Sequence, residues 1–587
     1  MDYCDVAQLF SAIEKISSRL EMTSLLAQLF EKASGQEINI ISNISLGQLH
    51  PPYMNVHFNM AEKTVVKAVV QLLGISSQQV TQGVKQLGDI GIFIEQHTWQ
   101  SSSTPLSLTT VYETLCALAT VSGTGSQESK VHMLYRLLEQ LDPLSAKYVL
   151  RIVVGKLRLG FSDMTIIDAL SWMVCGDKSA RSVIENAYNI CADIGYIAQE
   201  IKQHGLDILT HQAINVGIPI RPAAAERLAT ASLIFDKIGT CVAQPKLDGF
   251  RLQVHINKAS PQPAVHFFSR NLLDMSDMFP DLVTHLLSLP VTTLIVEGEA
   301  ISFDANTGNF LPFQETVRRK RKHDIAKAQE DFPLKLFLFD ILYLNGESML
   351  DHTHEQRRTE LVKLIQHTHV ESVELIPEWP IDAAGILESH FYESIAAGLE
   401  GLVVKRPDAI YKPGKRNFNW IKLKRHQQGH LHDTLDVVVL GYYAGKGKRT
   451  SFGIGAFLVG VYDQECDNFQ TIAKIGTGLS DTQWCELKKV CDQVATSSQP
   501  TNVVCAKALM PDVWVTPHIV YTAYADEITV SPLHAAGKKE DSLGYALRFP
   551  RALHFRPDKG PYQATTVKEI VSLYNHQSIK SAVSVQE

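Results

Sequence analysis

The cysteines of this chain fall into no pattern. There are nine, scattered, and no two stand at a CxxC spacing, so neither a disulfide framework nor a four-cysteine zinc module is expected, and a reducing compartment is favoured. No apolar run reaches the roughly 20 residues that span a bilayer, so no membrane partner is expected. The opening MDYCDVAQLFSAIEKI has no basic region followed by an apolar stretch, as a secretory signal would, and instead has the pattern of an amphipathic helix. Positive charge is also in short supply. The formal net charge of −7 argues against a wholly basic surface, although local basic patches stay open, because phosphate is held where cations cluster. No repeat of fixed period is found, which removes solenoid and propeller architectures.

What is present is ordinary globular composition, 45% hydrophobic and 20% charged, spread over 587 residues. That is too long for one core, so two to four domains are expected. Up to about position 210 the texture is helical: TVVKAVVQLLG (64–74), SLTTVYETLCALATV (107–121) and SAKYVLRIVVGKL (145–157) carry apolar residues three and four apart. LGDIG (87–91) places Gly88 and Gly91 where helices are expected to stop, and SSSTP (101–105) reads as a loop. From Arg221 onward short β-rich runs alternate with turns, which predicts a mixed α/β region with antiparallel sheets. The polar, histidine-rich RHQQGHLHD after Lys424 reads as a solvated hinge or as a metal-binding stretch. Beyond it, LDVVVLGYYAGKGKRTSFGIGAFLVGVYD has the strands and glycine-rich turns of a small barrel, and ATTVKEIVSLY (564–574) closes as a helix.

The chemistry concentrates in QPKLDGFRLQVH, Gln244 to His255. A lysine at the end of a strand is ordinarily a solvated edge charge. It is a covalent nucleophile when its amine is deprotonated, which burial or neighbouring cations promote. Gly249 permits close backbone approach, and Arg251 supplies a fork suited to phosphate or a hydroxyl. Lys246 could then hold a nucleotide as a phosphoramidate. Glu299, in IVEGEAIS, and Glu400, opening EGLVVK, are two carboxylates of the kind that hold magnesium near phosphate, or else exposed strand residues. Lys422 and Lys424 stand two apart in NWIKLK, hence on one strand face, either bracketing a phosphate or simply solvated.

The runs KLDGFR, FFSRNLLD, LFLFDILYLNGE, EGLVVK, NWIKLK and LRFPR resemble, in order, the successive motifs of ATP-dependent DNA ligases, in the replicative branch shared by archaea, eukaryotes and some bacteria. GKLRLGFSDMTIIDAL (155–170) resembles part of that family's helical DNA-binding domain, and the C-terminal RFPRALHFRPDKGPYQATTVKEIVSLY the end of its oligonucleotide-binding barrel. The resemblance implies three domains: a helical DNA-binding domain over 1–212, an adenylation (nucleotidyltransferase) domain of ATP-grasp-like mixed α/β type with antiparallel sheets over 213–428, and an OB-fold β-barrel over 429–587. It implies ATP and Mg²⁺ as cofactors, nicked double-stranded DNA as partner, a monomer, and a sliding-clamp partner by analogy alone, as no motif for one is found. It also implies a cytoplasmic, nucleoid-associated enzyme, or a nuclear one if the source is eukaryotic; a chain that starts directly with the helical domain resembles the prokaryotic members.

Residue by residue, the resemblance makes Lys246 the nucleophile. Arg251 and Arg270 contact the sugar and the phosphate or 5′ end. Glu299 and Glu400 are carboxylates for metal and ribose, and Phe339 stacks on adenine. Lys405, Arg416, Lys422 and Lys424 lie on or near the phosphates. Arg548 and Arg551 assist the first step, and Phe313 and Phe549 press on the nick, the alternative for either ring being a place in the core. Lys156 and Arg158 hold DNA phosphates. Gln244 departs from the pattern, because the branch usually carries glutamate at this adenine-contacting position. The basic runs RRKRKH (318–323) and KGKR (446–449) are expected in loops near DNA or as solvated turns. RNA ligases, capping guanylyltransferases and non-catalytic nucleic-acid-binding proteins are the alternative readings. The long helical region and the RFPR ending speak against the first two.

Overall fold

Apolar spacing and capping residues account for where the helices of the first two hundred residues begin and end. The structure is a computed structural model that describes residues 1–587 except 17, 102–103, 161, 212, 263, 304–309, 312–315, 317–332, 367–371, 425–433, 446, 540–541 and 584–587. The three helices expected from periodicity run over Glu62–Leu73, Leu108–Thr120 and Pro143–Val153. Ser107 caps the second through the Thr110 amide, and Asp142 caps the third ahead of Pro143, each satisfying amide groups the first turn leaves unpaired. Gly74 and Gly88 end their helices at φ +65° and +67°, where a side chain would be strained.

Gly91 corrects the sequence expectation. It does not stop a helix but lies in the first turn of Ile90–Glu95, because Asp89 is an N-cap accepting from the Gly91 amide at 2.6 Å and the Ile92 amide at 3.3 Å. Asp89 also anchors a buried ionic cluster. The Arg151 guanidinium, 1% exposed, reaches Asp89 and Glu14, both at 2.9 Å, and Lys147 bridges Glu14 and Glu95 at 3.0 and 2.8 Å. Interior charges of this kind persist only when paired.

Two sheets follow. The first has five strands, in the order Ala224–Arg227, Arg416–Lys424, Gly401–Lys405, Cys241–Lys246, Trp379–Ile381. The second runs Ala264–Ser269, Phe250–Asn257, Thr293–Ser302, Leu334–Leu344, Glu347–Ser348, with Val373–Leu375 also pairing Leu334–Leu344. Most pairs are antiparallel; Ala224–Arg227 with Arg416–Lys424 and Leu334–Leu344 with Val373–Leu375 are parallel. The runs IVEGEAIS, LFLFDILYL, GLVVK and NWIKLK all lie on these strands. The helical and sheet regions cluster together as one compact unit, Met1–Leu423. Arg221 helps join them: it pairs with Asp163 at 3.3 Å and lies 4.8 Å over the Tyr188 ring.

The second unit is Lys424–Glu587. Its central strand, Leu435–Tyr443, pairs on one side with Ala456–Asp463. On its other side the first half takes Val520–Tyr524 and the second half Val513–Val515. One edge is thus served in succession by two strands, and the other carries a register shift between Val439 and Gly441 against Ala456–Asp463, an irregularity that bends a strand. The final helix, expected over 564–574, runs over Val567–Val583. All nine cysteines are free thiols. Among the described residues no helix is long and apolar enough to cross a membrane.

Candidate active site

Strand alternation builds the site. In the five-stranded sheet Cys241, Ala243, Leu402, Val404, Ile421 and Leu423 share one core with the helices Ala231–Ile238 and Ala384–Ala396. Their alternates, Gln244, Lys246, Lys405, Trp420 and Lys422, therefore share the opposite face. In the second sheet Leu252, Val254, Leu336 and Leu338 pack against the helices Pro280–Leu287 and His354–Gln366. Arg251, Glu297, Glu299, Phe337 and Phe339 are turned the other way, where Phe337, Phe339, Leu247 and Trp420 form a smaller core between the sheets. KLDGFR is the corner at which the chain leaves one sheet and enters the other, so its lysine and its arginine face one crevice.

Within the crevice, Lys246 Nζ lies 2.5 Å from Glu400 Oε2, with both side chains about a quarter exposed. The Gly249 amide donates to Glu299 Oε1 at 3.1 Å. Gly249 has to be glycine because a Cβ there would sit 2.4 Å from the Ala300 carbonyl oxygen. Burial pushes the Glu299 carboxyl up to about 7, against the pull of Lys246 and Arg251. Arg251 is braced by Glu297, at 3.0 and 3.1 Å, and by the Ala223 carbonyl at 2.9 Å, and its guanidinium lies 5.5 Å from the Phe339 ring and 5.4 Å from Trp420. Tyr411 donates to Glu297 at 2.9 Å.

Behind Phe339 the cations Lys405 and Arg357 are buried. Lys405 Nζ donates to the Phe339 carbonyl at 3.1 Å, lies 4.4 Å over Trp420 and stands 3.9 Å from Asp340. Burial lowers it to about 8. Asp340 pairs with Arg357, both 1% exposed. Sequence reasoning missed Glu297, Asp340, Arg357, Trp420 and Tyr411. Glu297 and Asp340 did leave a signal, each being an acid inside an apolar strand.

The other predicted residues are dispersed. Arg270 is exposed and, with Arg221, Asp163 and Gly414, lines a cleft of about 480 Å³ where helical and sheet regions meet. Arg416 is exposed, and Lys422 and Lys424 are half-buried. Lys156 is exposed, but Arg158, at φ +64°, pairs with Asp89 at 3.1 Å and donates to the Gly88 carbonyl at 2.9 Å. In the second unit Arg548 pairs with Glu527 and lies 5.1 Å over Phe549. Phe549 is no core residue: it is 60% exposed at φ +50°, a strained backbone holding an aromatic ring in solvent. Arg551 is exposed. Phe313, the run 318–323, the histidine-rich stretch 425–433 and Lys446 lie outside the described residues.

Two facing sheets with a strand lysine, two carboxylates and an aromatic floor between them have the fold of a nucleotidyltransferase domain. Known proteins narrow that class. The family descriptions "DNA ligase N terminus", "ATP dependent DNA ligase domain" and "ATP dependent DNA ligase C terminal region" match residues 2–171, 222–424 and 450–559. The "Probable DNA ligase" of Dictyoglomus thermophilum is 45% identical over 98% of both chains, and "DNA ligase 2" of Thermofilum pendens 38% identical over 98% of both. The solved structure "Pmar-Lig_Pre." covers 94% of this chain and 99% of its own at 17% identity with a TM-score of 0.57, a likeness of fold. The chain belongs to the ATP-dependent DNA ligase family, whose function is to seal nicks between a 5′-phosphate and a 3′-hydroxyl in duplex DNA.

Proposed function

We propose that Lys246 is the covalent nucleophile of nick sealing, with roles divided among a helical DNA-binding part (1–212), an adenylation part (213–428) and an OB-fold part (429–587). The observation that carries this is the Lys246–Glu400 pair at 2.5 Å, in the crevice that also holds Glu299 and Phe339. The deprotonated Nζ attacks the α-phosphorus of ATP; an N–P bond forms and the bond to pyrophosphate breaks. The 5′-phosphate of the nick then takes AMP from Lys246, and the 3′-hydroxyl displaces AMP as the strand closes. Phe339 stacks on the base, Arg251 and Lys422 face the ribose and phosphates, and Phe549 meets the duplex at the nick.

Magnesium fits Glu299 and Glu400. A carboxyl held near 7 by burial is one whose ionised form gains from a cation. When bound, that cation neutralises phosphate charge during transfer. Incubation with α-labelled ATP and magnesium, followed by peptide mass spectrometry, tests the reading: AMP is expected on Lys246, and nick sealing without an adduct there would refute it.

Two further results are expected. Gly249→Ala should slow self-adenylation by roughly 10²-fold, because the Cβ pushes the corner off the Ala300 carbonyl and shifts the lysine; an unchanged rate in a folded variant would show the approach to be slack. Glu299 titrates higher in the folded chain than in the unfolded one. The stability it permits is therefore complete below the ordinary carboxylate range and declines as pH rises through about 7. Without nucleotide or metal, Glu299→Gln should raise the melting temperature more at pH 8 than at pH 5. An equal difference at both would place the carboxyl in a more solvated setting.

A further inference from the structure

Gln244 is 2% exposed and shares the crevice face with Lys246. Its side-chain Nε2 lies 2.6 Å from Glu378 Oε2. The same oxygen is 2.9 Å from His354 Nε2, and the other, Oε1, is 3.8 Å from Arg358 Nε. Burial pushes the Glu378 carboxyl up, but the His354 contact and the Lys405 and Arg358 charges hold it at about 2. Glu378 is therefore a carboxylate, which only accepts hydrogen bonds. The Gln244 atoms facing it have to be the NH₂ group, since turning the amide over would set oxygen against oxygen. The Gln244 Oε1 is thus directed away from Glu378, and it makes no hydrogen bond among the described residues.

We infer that Glu378 is a positioning residue for nucleotide selection, which by fixing the Gln244 amide makes the crevice present a carbonyl acceptor and so favours adenine, whose C6 bears an amine, over guanine, whose C6 bears an oxo group. This rests on the proposed assignment of the crevice to ATP. It also accounts for glutamine at 244. A glutamate there would set two carboxylates against each other, whereas a glutamine held by Glu378 offers the acceptor without the repulsion. Glu378 acts only through Gln244.

The test is the ratio of self-labelling by α-labelled ATP to that by α-labelled GTP, measured for wild type, E378Q, Q244E and Q244E/E378Q. In E378Q the new amide can donate as well as accept, Gln244 can turn over, and the ratio should fall by about 10-fold or more. Q244E should lose labelling with both nucleotides. The double variant exchanges the two groups: the amide now at position 378 donates to the carboxylate now at position 244, whose second oxygen still faces the base, and the ATP preference should return. An E378Q ratio equal to that of wild type overturns the inference. So does a double variant without ATP preference, and that arm stands even if a single variant fails to fold. Wild type that takes no label from ATP would instead overturn the site assignment beneath it.

Discussion

Lys246→Ala should reduce self-adenylation by at least ~10⁴-fold, as loss of a covalent nucleophile does, while sealing of a nick already carrying AMP on its 5′-phosphate should survive in part. The difference follows from the chemistry. The amine is needed to take AMP from ATP, but the last displacement joins a 3′-hydroxyl to an activated phosphate and forms no bond to lysine. Lys246→Arg sharpens the comparison. Arginine keeps a positive charge near Glu400 but stays protonated and does not attack phosphorus. It should be as inactive as alanine in the first step and closer to wild type in the last. Parallel loss of both steps in both variants, measured with ATP and with pre-adenylated nicks, would mean that Lys246 holds the fold or the DNA and is not the nucleophile.

Arg357→Ala should destabilise the first unit by about 3–5 kcal/mol, the range found when one partner of a buried ion pair is removed. Arg357 Nε donates to Asp340 Oδ1 at 2.7 Å and Nη2 to Oδ2 at 3.2 Å, and Nη1 also donates to the His352 carbonyl at 2.6 Å. Burial pushes Asp340 up, yet Arg357 and Lys405 hold it at about 2. Its contribution to stability is therefore present above the ordinary carboxylate range and fades as pH falls through about 2. The variant should protonate Asp340 at higher pH, so its deficit should narrow on acidification. Because Asp340 follows Phe339 directly, AMP retention should fall as well. Arg406→Ala is the control: its partner Asp408 is 65% exposed and their contact is 2.6 Å, and losing a solvated pair of this kind costs under ~1 kcal/mol. Denaturant unfolding monitored on both variants distinguishes the cases, and equal costs would deny the buried pair its special weight.

The parts of the site that could be read ahead of the fold share one property: they lie close together in the chain and obey the two-residue period of a strand. Gln244 and Lys246, or Lys422 and Lys424, had to share a face wherever the strand lay, and KLDGFR already carried its turn. Helices were legible for a similar reason, since apolar spacing and nearby caps such as Ser107 are local. Gly91 misled because Asp89, two residues before it, is a cap, which puts the glycine in the first turn of a helix.

Partnerships across distance were not legible. Arg251 finds Glu297 46 residues on, Gln244 finds Glu378 134 residues on, and Arg158, a plausible phosphate ligand by type, is taken up by Asp89. Phe549 could have been core or surface until its exposure was known. The local pattern decides which residue types stand on which face of an element, because backbone geometry repeats every two or 3.6 residues. Which charge meets which, and which is left to meet a ligand, depends on how sheets and helices pack, and chain order carries no record of that.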